Sequence, residues 1–72
     1  MINVGAATVI AKQEACGWEL KAAREFGPYY VFDYVEELDI PAIYIDKITG
    51  ESVYLTLEEI CKIITELETR TN

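Results

Sequence analysis

Thirteen carboxylates and no histidine set the chemistry open to this 72-residue chain. Paired carboxylates can divide acid and base roles or hold a divalent cation, which makes Glu36, Glu37 and Asp39 the first group to weigh. Their spacing is not that of a calcium loop, and no loop glycine follows them. Without histidine the commonest general base is missing. Cys16 and Cys61 lie far apart in the sequence, with no CxxC spacing to build a zinc site, and read as two free thiols buried as small hydrophobes. The four glycines stand singly, so no phosphate-cradling loop is present, and each reads as a turn or strand-end residue. The expectation is a chain without catalysis, cofactor or metal.

What is left is surface chemistry. Residues 1–27 balance Lys12, Lys21 and Arg24 against Glu14, Glu19 and Glu25. Residues 28–72 set three basic residues against ten acidic ones and so carry the whole net charge of −7. Such a surface opposes the phosphate neutralisation that direct DNA or RNA binding needs. All five tyrosines fall between positions 29 and 54, mixed with the acids. Tyrosine anchors protein interfaces. The candidate partner-binding set is therefore Asp33, Tyr34, Glu36, Glu37 and Asp39, together with Tyr44, Tyr54, Glu58 and Glu59.

The elements that must position these residues are clearest at the C-terminal end. Thr56 and Glu59 have capping-box spacing, with Leu55 and Ile60 placed for a hydrophobic staple. Leu57, Ile60, Cys61, Ile64 and Leu67 then recur at helical spacing with Ile63 on the flank, which predicts a helix from 57 to about 69. Upstream, "AIYID" and "SVYLT" flank "KITGE", a hairpin in which Gly50 takes positive φ and the Asp46 carboxylate accepts turn N–H groups. Strand alternation predicts Ile43, Ile45, Val53 and Leu55 facing the helix, with Tyr44 and Tyr54 on the opposite face. Residues 28–35 read as a third strand after the turn at Gly27 and Pro28.

The first 26 residues are ambiguous. "AKQEACGWELKAARE" is helical by propensity. No polar face emerges on a helical wheel, however, whereas Cys16, Trp18, Leu20, Ala22 and Phe26 alternate with charged residues. Period favours strands at 3–11 and 17–25. The predicted fold is α+β, one domain over residues 1–72: an antiparallel meander of four or five strands with the C-terminal helix packed on one face. The alternative is an N-terminal helix, a three-stranded sheet and the C-terminal helix.

No apolar run is long enough to span a membrane, and "VGAATVIA" lacks the basic flank of a signal peptide and reads as part of the fold. The expected compartment is the cytoplasm. The expected function is a small acidic, non-catalytic protein-binding module. In its sharpest form it is an inhibitor or nucleic-acid mimic occupying the basic groove of a nucleic-acid-processing protein, similar in size and charge to small phage-borne inhibitors. The alternative function is structural: a homo-oligomer, a homodimer at its simplest, formed through the aromatic sheet face.

Overall fold

The computed structural model describes residues 1–70. It opens with helix α1 (Val4–Ala15), where the alternation predicted a strand at 3–11. The reason is the composition of the buried face. Ala7, Ala11 and Ala15 lie one turn apart and are all buried, so the apolar stripe consists of residues that carry little hydropathy contrast. Small side chains let a helix approach its neighbour closely. Asn3 caps the first turn, its Oδ1 accepting from the Ala6 N–H at 2.8 Å. The helix stops at Cys16, which takes the left-handed conformation at φ 52°, and Gly17 follows at φ 96°.

Four strands follow, β1 (Arg24–Phe26), β2 (Tyr29–Phe32), β3 (Ile43–Asp46) and β4 (Ser52–Val53), paired antiparallel in chain order. The strand expected at 17–25 survives in two pieces, the isolated bridge of Leu20 with Tyr34 and β1 itself. The third strand, expected at 28–35, shortens to β2 with that same bridge beyond it. Helix α2 (Leu57–Arg70) closes the described chain. The α+β meander with a C-terminal helix is thus the fold, and the N-terminal element is a helix.

The sheet has two unlike faces. On one, Phe32, Ile43 and Ile45 are buried against the α1 alanines, with Tyr30 half-buried beside them. The Tyr30 hydroxyl donates to the Ile2 carbonyl at 3.4 Å. On the other lie Phe26, Tyr29, Val31 and Tyr44, where Tyr44 makes tilted and edge-on ring contacts with Phe26 and Tyr29 at 6.2 and 6.3 Å. The pairing of Tyr44 with Val53 puts Val53 on this second face and not with the isoleucines. The turn sets that parity: the Asp46 N–H donates to the Glu51 carbonyl at 2.9 Å, so four residues separate the closing pair.

Helix α2 starts beyond the end of β4 and reaches the β1–β2 turn, where a Cβ on Gly27 would stand 2.8 Å from Ile63 Cγ2. It therefore lies across the second face. Ile60 and Ile63 on it are half-buried; Leu57, Cys61, Ile64 and Leu67 are exposed. Ile63, expected on the flank, is seated together with Ile60 of the expected stripe, and the rest of that stripe is open.

Substituting Ala11→Leu should lower stability by about 1–3 kcal/mol, because the added methylenes have no room between α1 and Ile43 or Ile45. The same change at exposed Ala6 should cost almost nothing. Urea melts of the two variants compare them directly, and equal midpoints would contradict the close helix–sheet approach.

Candidate acidic interface

Strand register decides which sequence-distant acids share an end of the sheet. Phe32 pairs with Ile43, so the connection of residues 33–42 lies at one end of the sheet. β4 runs antiparallel to β3 and leaves Val53, opposite Tyr44, toward that same end. Glu36, Glu37 and Asp39 thus share an end of the molecule with Tyr54 and with Glu58 and Glu59 in the first turn of α2. All six are exposed, Tyr54 at 73%.

An open groove of about 330 Å³ runs beside the loop, lined by Lys21, Asp33, Tyr34, Glu36, Glu37 and Ile40 among others. Two backbone hydrogen bonds fix its inner wall: Lys21 N–H to the Asp33 carbonyl at 2.8 Å and Val35 N–H to the Glu19 carbonyl at 3.0 Å. These bonds bring Glu19 and Lys21 to the same end, two charges the candidate set did not include. No short-range signal in the sequence marks them, since the pairing joins residues far apart in the chain.

Three of the nine candidates do other work. Asp33 is held by Arg24, its Oδ2 accepting from both Nε and Nη2 at 2.8 Å. Tyr34 is half-buried and packed against the α1-side core. Tyr44 belongs to the aromatic cluster of the second face. Glu59 serves the helix as well as the surface: its backbone N–H donates to Thr56 Oγ1 at 3.2 Å, and its Oε1 accepts from the Thr56 N–H at 3.3 Å. The capping box read from the sequence is present. Glu58 and Glu59 also sit where the helix dipole favours negative charge.

Asp46 is the acid with a purely local task. Its Oδ1 accepts from the Ile48 and Thr49 N–H groups at 2.7 and 3.0 Å. Hydrogen bonds from Thr49 and Ile48 to the charged form hold its carboxyl below the usual carboxylate range. Gly50, at φ 76°, donates to the Asp46 carbonyl at 2.8 Å and completes the turn as read from the sequence. On the other side of this end of the sheet, Lys47 Nζ pairs with Glu25 at 2.8 Å and lies 5.3 Å from the Tyr30 ring centroid.

Both cysteines are free, as expected, and both are exposed, which was not. Cys16 occupies the turn that ends α1, and Cys61 lies on the part of α2 that the sheet leaves uncovered. Among the described residues no group of three or more His, Cys, Asp or Glu is placed to hold a metal ion, and no helix is long and apolar enough to cross a membrane. Comparison with family models, curated proteins and solved structures gave no match.

Two substitutions check the local chemistry. Thr56→Ala should cost about 1 kcal/mol of stability through the lost cap, read by thermal melting; an unchanged curve would contradict the cap. Asp46→Ala should destabilise the hairpin only while the carboxyl is ionised. The folded pKa is depressed below the unfolded value of about 3.9, so the contribution is full above that pH and fades as pH falls through the lower folded value. Melts across the acid range should show the wild-type advantage closing below about pH 4; a constant gap would assign the effect to something other than ionisation.

Proposed function

We propose that the chain is a small, non-catalytic module that binds a basic protein surface through its acidic end. The observation that supports this is the register-imposed gathering of Glu36, Glu37 and Asp39 with Glu58, Glu59 and Tyr54. These residues come from two separate segments and are held by backbone structure that nothing in the exposed side chains supplies. A carboxylate array on a fixed frame gives electrostatic steering and register to a basic partner, with an exposed tyrosine as apolar anchor. Its finer form is occupation of the basic groove of a nucleic-acid-processing protein, the carboxylates standing in for phosphates.

A second reading rests on a different observation. The aromatic sheet face expected to mediate self-association is engaged in its own ring contacts. The open apolar side of α2 takes its place as the surface through which a homo-oligomer would form, adding burial to a thin core.

Glu36→Lys with Glu37→Lys should weaken partner capture without lowering the melting temperature, because both side chains are exposed and outside the core. The assay is capture from a host lysate by the tagged chain at low and high salt, read by mass spectrometry. Salt should release the partner, since screening acts on exposed charge. Capture unaffected by both the double reversal and salt would defeat the acidic-surface reading. Recovery of the chain alone at either salt would favour self-assembly.

A further inference from the structure

The two helices are attached to the sheet in different ways. Helix α1 buries Ala7, Ala11 and Ala15 against it. Among residues 57–69 of α2 none is buried, and the helix meets the sheet through half-buried Ile60 and Ile63. Ile63 lies so close to Gly27 that a Cβ there would stand 2.8 Å from Ile63 Cγ2. Around that contact the helix and the β1–β2 turn part at an open cleft of about 300 Å³, lined by Gly27, Pro28, Ile63, Glu66 and Leu67. The helix's threonines bond within it: Thr65 Oγ1 donates to the Cys61 carbonyl at 2.9 Å and Thr69 Oγ1 to the Thr65 carbonyl at 2.8 Å. Glu59 bonds back to its cap, Thr56. None of these bonds reaches the sheet.

Magnitude decides what so slight an attachment can do. Two half-buried isoleucines remove about as much apolar area from water as one fully buried side chain, which favours the docked helix about 10- to 100-fold. A helix of 14 residues released from its support is marginal in water even when capped. Release and melting of α2 therefore coincide. The chain just before it is firmly held, because Leu55 is 5% exposed and β4 is paired to β3. The weak point lies between Leu55 and the helix, at Thr56.

We propose that α2 is a lid that opens about Thr56 while α1 and the sheet stay folded. Opening uncovers the second face of the sheet, where Val31 is 2% exposed and Phe26, Tyr29 and Tyr44 are half-buried in the closed state. Glu58 and Glu59 adjoin the hinge, so the acidic end persists in both states. The lid therefore stands whether or not that end binds a partner.

Native-state hydrogen exchange on the full chain, followed by NMR at urea concentrations below the melt, reads the two units separately. The amides of residues 61–66 should exchange together, with protection of about 10- to 100-fold that urea changes little. Ala11 in α1 and the paired amides of β2 and β3 should be protected at least about tenfold more and lose that protection steeply with urea. Ile63→Asp should strip protection from α2 and leave Ala11 and the strands protected. Ile63→Ala, the milder variant, should lower α2 protection about fivefold. A single protection and urea dependence shared by α2, Ala11 and the strands would overturn the proposal. Unfolding of α1 together with α2 in Ile63→Asp would do the same. So would protection that climbs from Arg70 toward Leu57 until it matches the sheet, unmoved by Ile63→Ala, because that pattern is end fraying and not a lid.

Discussion

The close seating of three alanines on the sheet is the constraint from which the rest of the molecule follows. Ala7, Ala11 and Ala15 bring the α1 backbone down onto Phe32, Ile43 and Ile45, and those six residues are the main core. Small side chains contribute little apolar area each, so the core depends on closeness more than on volume. The order of the chain around it is then fixed. The N-terminal helix must occupy the isoleucine face, and the C-terminal helix is left with the opposite one. There Tyr44 already contacts Phe26 and Tyr29, and α2 meets the sheet at Ile63 beside Gly27, with Ile60 also half-buried. One helix is buried along a face and the other is perched.

That arrangement explains what could be read from the chain alone. The hairpin at Asp46 to Gly50 and the start of α2 were legible because their signals are local: a carboxylate two and three residues from its donors, a glycine at positive φ, a threonine three residues from its glutamate. Helix α1 was illegible for a physical reason. Periodicity is read from contrast between apolar and polar residues, and a stripe of alanine set among Val4, Ala6, Val9 and Ile10 offers almost none. Propensity, which ranks alanine first, read residues 11–25 as helix, and of these only 11–15 belong to α1. The faces assigned across the hairpin failed on parity: the turn was recognised, but the four-residue separation between Asp46 and Glu51 places Val53 opposite Tyr44, so Val53 and Tyr44 share the α2 side while Ile43 and Ile45, expected to face the C-terminal helix, pack against α1. One residue of register moves a whole strand face.

The candidate site was legible in part, and the division has the same origin. Composition alone singled out the acids of 36–39 and of the first α2 turn, but it could not say that they share an end of the molecule. That follows from the β2–β3 and β3–β4 registers. Composition likewise could not separate Tyr54, which is exposed, from Tyr34 and Tyr44, which the fold uses for packing. Tyrosine serves both ends by having an apolar ring and a polar tip, and only tertiary position chooses between them.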